Sequence, residues 1–183
     1  MGIFSRILSS NTEGVTVPKS ARFETKPGTV YVPVSGLLIP VKEVGDKTIA
    51  EGMFGAGVGI LPMGNVLYAP ADGRVKATTV TNHAIGITTA DGADILMHIG
   101  VDTVKLNGKG FCRFVEAGET VVAGQPLIAF DNEKIVEAGY EDTVIISITN
   151  SDDEHVASVA QSRTKIGGKL LLKVGDPLLE IQE

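Results

Sequence analysis

The sequence predicts an all-β domain, an antiparallel β-sandwich or barrel-sandwich hybrid built by internal duplication. Three observations carry that expectation. From about Ala21 onward, Gly, Pro, Asn or Asp interrupts the chain every eight to twelve residues, with short runs rich in Val, Ile, Leu and Thr between, which is the spacing of short strands joined by turns. Tyr31-Val-Pro33-Val-Ser-Gly36 recurs as Tyr68-Ala-Pro70-Ala-Asp-Gly73, and Val122-Ala-Gly124-Gln-Pro126-Leu-Ile recurs as Lys173-Val-Gly175-Asp-Pro177-Leu-Leu. Two echoes in matching order favour a duplicated β unit, with Gly supplying turn dihedrals and Pro confined to strand starts. Finally, Asp91-Gly92 between two apolar runs marks a two-residue hairpin turn.

Along the chain, Ile3, Phe4, Ile7 and Leu8 fall at helical spacing with Arg6 on the other face. They could form a short amphipathic helix within a flexible tail over residues 1–21, making at most peripheral membrane contact; a frayed terminus is the alternative. The Met1-Gly2 start resembles a myristoylation signal, but Arg6 stands where Ser or Thr is wanted, so lipidation is not expected. Residues 22–183 then form a single domain. Strand-like runs fall at 28–34, 66–68, 73–79, 84–88, 95–99, 127–130, 143–149 and 170–174, and one helix is expected over 132–140 with Ile135 and Val136 facing inward.

Composition narrows the function. The 183 residues are 43% hydrophobic and 21% charged, ordinary for a packed globular domain. Sixteen basic against 22 acidic residues give a net charge of -6, which disfavours nucleic-acid binding, because contact with a phosphate backbone needs a clustered basic surface. The single Cys112 cannot form an intrachain disulfide and lacks a nearby base, so it reads as structural. No secretory leader opens the chain, and no apolar stretch reaches the ~18 residues of a membrane-spanning helix. A cytoplasmic location is expected.

The informative residues lie in Thr81-Asn-His83-Ala-Ile85 and Asp94-Ile-Leu96-Met-His98-Ile-Gly100. If the Asp91-Gly92 turn sets Ala90 opposite Ala93, His98 stands opposite Ile85 and His83 lies two residues further along the same face. The two imidazoles then become diagonal neighbours, roughly 7 Å apart at Cα. Such a pair could bind a metal with help from Asp94 and Asp102, could act as an acid/base pair, or could use one ring as a covalent nucleophile while the other holds the transferred group. For a phosphoryl group the third option is attractive. A deprotonated ring nitrogen attacks in line, and the neighbouring N–H, with the Thr81 hydroxyl, hydrogen-bonds the charged oxygens. No Walker-type loop accompanies the pair, so the donor would be another protein rather than a bound nucleotide.

Gly92-Ala-Asp-Ile95-Leu96-Met97-His98-Ile99-Gly100-Val101-Asp-Thr103-Val104 resembles the phosphohistidine signature of the glucose-type IIA component of the bacterial phosphoenolpyruvate-dependent sugar phosphotransferase system. Residues 57–64, Ala69-Pro-Ala-Asp-Gly73, Thr81-Asn-His83 and Val121-Val-Ala-Gly124-Gln-Pro-Leu-Ile-Ala-Phe130-Asp131 look like that family too, so the similarity runs from about Phe23 through nearly the whole chain. The resemblance implies a phosphoryl carrier with His98 phosphorylated through Nε2, His83 stabilising the phosphate and Thr81 holding its hydrogen-bond network. It also implies that backbone carbonyls near Gly100 and Asp102 fix the ring tautomers. The implied partners are an HPr-type histidine phosphocarrier protein upstream and the IIB domain of a sugar permease downstream, docking on an apolar surface that includes Ile85, Leu96 and Val101. Regulatory targets of the unphosphorylated form are known mainly in the enteric branch. No cofactor and no intrinsic metal are expected, although His83 and His98 could hold an incidental zinc within a complex. One departure is Thr79, which stands where enteric members carry an aromatic that helps receive partners; this bears on partner affinity.

Three rival readings are weaker. A lysostaphin-type metallopeptidase would need a His-x-His ligand pair, and a biotinyl or lipoyl carrier would need a modifiable Lys flanked by Met or Asp at a hairpin tip; neither occurs. A purely regulatory domain of the same fold would have no use for the retained His pair and Thr81. His155 in Asp152-Asp-Glu-His155 reads as part of an acidic loop, and Lys105 and Lys109 as a solvated face.

Overall fold

A computed structural model describes residues 16–151 and 155–182. The amphipathic stretch expected near the start lies outside the described residues. The first strands are β1 (Thr29–Tyr31), β2 (Gly36–Pro40), β3 (Ala56–Pro62), β4 (Val66–Tyr68), β5 (Gly73–Thr78), β6 (Ala84–Thr89) and β7 (Asp94–Ile99). They are followed by β8 (Phe111–Arg113), β9 (Thr120–Val121), β10 (Pro126–Phe130), β11 (Val144–Ile148), β12 (Val156–Ser158), β13 (Lys165–Ile166), β14 (Lys169–Leu172) and β15 (Pro177–Ile181). A nine-stranded antiparallel sheet runs β13-β14-β2-β3-β11-β7-β6-β5-β9, accompanied by the three-stranded sheets β1-β15-β12 and β4-β10-β8. One core packs between them, from Val32, Ile60, Leu67, Ile87, Ile95, Met97, Leu127 and Ile146 among others, all buried. The all-β expectation holds.

The duplication is visible bond by bond. Tyr31 N donates to Pro70 O at 2.9 Å, and Tyr68 N donates to Pro33 O at 2.8 Å. Gly124 N donates to Ala69 O at 2.9 Å as Gly175 N donates to Val32 O at 3.1 Å. Gly36 and Gly73 are glycines for one reason: an added Cβ would come within 2.2 Å of Leu61 O in the first case and 2.5 Å of Thr88 O in the second. These exchanges are those of an approximate twofold axis through the middle of the β11–β7 pair, where Ile146 faces Met97. On one side of that pair lie β3 and β2; on the other lie β6 and β5.

Two local expectations are corrected. The β6–β7 hairpin pairs Thr88 with Asp94, Ile85 with Met97 and Ala84 with His98, so His98 does not face Ile85. Its loop has three residues rather than two. Thr89 N donates to Ala93 O, Gly92 N closes a turn on Thr89 O at 3.1 Å, and of Ala90, Asp91 and Gly92 only Gly92 takes a positive φ (+89°). That is a type I turn followed by a glycine bulge. Asp91 is held by the Thr89 hydroxyl and by Gly28 N instead of adopting the left-handed conformation of a two-residue turn. The observed register keeps Ile85, Ile87, Ile95, Met97 and Ile99 together on the buried face, as a half-buried hairpin requires. The second correction concerns α2, which covers Asn132–Glu137 with Asp131 capping Lys134 N. Ile135 is buried but Val136 is exposed, because adjacent helical residues cannot share one face. A short α1 (Lys47–Ala50), capped by Asp46, was not expected.

Candidate functional site

The hairpin register puts His98 on the outward face of the nine-stranded sheet, opposite Ala84 and, on its other side, Ile145. Strict alternation from Ile85 would send His83 to the opposite face. It does not, because β6 begins only at Ala84 and the preceding Asn82 is left-handed at φ +57°. The His83 and His98 rings meet edge to face with centroids 4.8 Å apart and planes at 81°. The two imidazoles are therefore neighbours, through a break in strand geometry rather than through the register expected from the turn.

Each ring is held through Nδ1. His98 Nδ1 lies 2.8 Å from Gly100 O; a carbonyl only accepts, so Nδ1 carries the proton and the Nε2 lone pair is left available. Gly100 is fixed for this task, at φ +75°, where a Cβ would lie 2.4 Å from Thr103 Cγ2 and 2.6 Å from Glu141 O. His83 Nδ1 lies 2.6 Å from Thr81 Oγ1, with Thr79 Oγ1 further off at 3.4 Å. Asp102 gives its carbonyl to Lys105 N and its carboxylate to Lys105 Nζ at 2.7 Å, rather than to a ring.

Burial is the main cause that lowers both imidazole pKa values, to about 4 for His83, with the nearby His98 adding to the effect. For His98 the hydrogen bond to Gly100 and the charge of Asp46 oppose the lowering. Both rings are neutral at pH 7. An unfolded chain protonates them near the ordinary value of 6.5, whereas the folded chain does so only at lower pH. Folding stability should therefore be insensitive to these groups above pH 6.5 and fall as the pH drops toward about 4, by at most about 1.4 kcal/mol per pH unit per histidine. Denaturant unfolding across that range checks this, and His83→Gln should flatten the slope.

His98 lines a hollow of about 210 Å³ with Asp46, Thr48, Ile49, Phe54, Asp102, Thr103 and Val104. Ile85 does not border it: at 1% exposure it belongs to the core beneath the sheet, and its place on the expected docking surface is withdrawn. Leu96 is half-buried on the His98 face, and Val101 packs against Ile39, Val44, Ile49 and Ile145. The exposed apolar groups flanking the site are Phe54, Val104 and Val80, the last 99% exposed. Val104 closes the signature around His98, whereas no sequence pattern singles out Asp46, Phe54 or Val80, which come from other loops. Cys112 has its thiol pKa raised by burial, in keeping with an unreactive role. Among the described residues no group of three or more His, Cys, Asp or Glu side chains is placed to hold a metal ion.

The twofold axis supplies a comparison within the molecule. Ser147 stands in β11 where His98 stands in β7, each one residue beyond the central pair, with Ser147 facing Gly57 as His98 faces Ala84. Thr149 N donates to Asp94 O as Gly100 N donates to Thr143 O. Gly55 (φ +89°) precedes Ala56 as Asn82 precedes His83. One half thus carries two imidazoles where the other carries Ser147 and Ala56.

The antiparallel duplicated sandwich thus presents two neutral, oriented imidazoles in edge-to-face contact, with His98 bordering an open hollow. Residues 28–154 match the family model of the phosphoenolpyruvate-dependent sugar phosphotransferase system, EIIA 1, and the chain belongs to that family of phosphoryl carriers. It is 37% identical over 152 residues to the PTS system glucose-specific EIIA component of Oceanobacillus iheyensis, covering 82% of this chain and 92% of that one. It is 42% identical over 125 residues to the PTS system beta-glucoside-specific EIIBCA component of Dickeya chrysanthemi, covering 68% of this chain but 20% of that protein; the chain spans about a fifth of such multidomain relatives. The glucose permease IIA structure from Mycoplasma capricolum superposes with a TM-score of 0.71 at 33% identity, over 87% of this chain and 98% of that one.

Proposed function

We propose that His98 is the phosphorylated residue and that the chain accepts its phosphoryl group from an HPr-type histidine phosphocarrier protein and passes it to the IIB domain of a sugar permease. The observation that supports this most directly is the His98 Nδ1 contact with Gly100 O, which leaves Nε2 as the nucleophile. In uptake the Nε2 lone pair forms the new N–P bond while the donor's phosphorus bond breaks and the donor keeps that electron pair. In delivery the acceptor attacks phosphorus, and the Nε2–P electrons return to the His98 ring. With the Thr81 hydroxyl donating to His83 Nδ1, the other nitrogen of His83 bears the proton and can hydrogen-bond a phosphoryl oxygen. Phe54, Val80 and Val104 provide the apolar rim for either partner.

The cycle needs no cofactor, and two imidazoles would hold zinc only with further ligands from a partner. A cytoplasmic site of action fits this exchange; no helix among the described residues is long and apolar enough to cross a membrane. Relatives are named for glucose and for beta-glucosides; on this reading the permease partner, rather than this chain, selects the sugar.

The test is incubation with phosphoenolpyruvate, the general phosphotransferase enzyme and the histidine carrier, followed by intact-mass measurement. One acid-labile phosphoryl adduct is expected; an unmodified protein would refute the assignment.

A further inference from the structure

Arg113, at the end of β8, turns its guanidinium toward the loop that carries Thr81 and His83. Nη1 donates to Asn82 Oδ1 at 2.5 Å and to Thr79 O at 3.1 Å, Nε donates to Val115 O at 2.8 Å, and Nη2 pairs with Glu116 at 2.7 Å. The side chain is 16% exposed. Asn82 N also donates to Thr79 O, closing the turn, so one planar group grips that turn at both ends. Between those two points sits Thr81, whose hydroxyl meets His83 Nδ1. Asn82 itself is left-handed, a conformation that costs a residue with a Cβ unless its surroundings hold it there.

The duplicated half acts as a control. Arg113 faces Ile128 in β10 just as Ser158 faces Leu179 in β15, which makes Ser158 the counterpart of Arg113. Gly55, Ala56, Ser147 and Ser158 therefore replace Asn82, His83, His98 and Arg113. The half without imidazoles has neither the guanidinium nor the side-chain amide that it binds. Its left-handed residue is a glycine that needs no clamp.

We infer that Arg113 is a positioning residue for phosphoryl transfer, setting Thr81 and His83 through Asn82 and Thr79 without touching the transferred group. Four of its five N–H donors are already engaged by protein acceptors, which separates this role from that of an arginine that clamps phosphate. The inference rests on the carrier reading for its kinetic readout, and on the titration of His83 for an independent one.

Four variants test it: Arg113→Gln, Arg113→Lys, Asn82→Gly, which keeps the left-handed backbone but deletes the acceptor, and the double variant Arg113→Gln with Asn82→Gly. In Arg113→Gln and Asn82→Gly, delivery to a IIB domain should slow about tenfold or more, the loss of one charge-assisted hydrogen bond acting through its neighbour. Uptake from the phosphorylated carrier should stay within about threefold of wild type. The His83 titration midpoint, followed by NMR, should rise from about 4 toward 6.5 as the ring loosens. The double variant should be no worse than either single one, because both break the same link, and Arg113→Lys should recover only part of the transfer, having the charge without the fork. Should Arg113→Gln melt well below wild type, Asn82→Gly carries the test. Unchanged delivery with an unchanged His83 titration in these variants would overturn the proposal. So would equal loss of uptake and delivery in a variant that melts like wild type, since that would place the guanidinium on the phosphoryl group. If the wild type itself takes no phosphoryl group, the carrier reading fails, while the titration still decides whether the clamp exists.

Discussion

His98→Ala should remove phosphoryl uptake to background, a loss of at least about 10⁴-fold, as expected when a covalent nucleophile is deleted. Of the two neighbouring rings, His98 has its Nδ1 committed to a backbone carbonyl, at Gly100, and borders the open hollow. His83 is 7% exposed and its Nδ1 is tied to a hydroxyl. The fold should survive, because His98 lies on the outward face and not among the core residues. Intact mass after exposure to the phosphorylated carrier, with circular dichroism as a folding check, measures this. A phosphoryl adduct of wild-type size on His98→Ala would move the chemistry elsewhere.

The second large effect belongs to His83→Gln, where uptake should persist within a few-fold and delivery should fall by about two orders of magnitude. The asymmetry follows from which protein holds the group. During uptake the donor presents the phosphoryl group, and His98 needs only its lone pair. On the proposed cycle the group is on this chain during delivery, and the His83 N–H, its ring 4.8 Å from that of His98, would fix the group's rotation and bear part of the charge on its oxygens. Glutamine offers a donor, but not at the end of a rigid ring tied to Thr81. Rapid-quench measurement of both half-reactions separates them; equal slowing of the two would mean that His83 does not act after the group has arrived.

The fold class and the duplication were legible because they rest on punctuation and repeated turns, which are local. Tyr31 and Tyr68 with their prolines, and Gly124 and Gly175, are where the two halves exchange hydrogen bonds. The hairpin register differs by one residue from that of a two-residue Asp91-Gly92 turn. Asp91-Gly92 suits a two-residue turn, but the alternation of Ile85 and Ile87 with Ile95 and Met97 already demanded the register that the structure adopts. Ile85, which the family resemblance puts on the docking surface, pairs with Met97, and its parity places it inside. The meeting of His83 with His98 depends on Asn82 leaving the strand conformation, and asparagine is among the few non-glycine residues suited to that position. Asp46, Phe54 and Arg113 reach the site from distant stretches, and no local pattern announces them.

The pairing of β1 with β15, closed by Ile181 N on Gly28 O at 2.9 Å, has a consequence for how this module can be wired. Gly28 N also reaches Asp91 at the hairpin tip, whereas His98 stands at the far end of the same hairpin, about 20 Å away at strand rise. A polypeptide leash attached after β15 would leave beside the Asp91 tip, at the end of the hairpin away from the imidazoles. A domain tethered there could lie behind the module and leave its working face open.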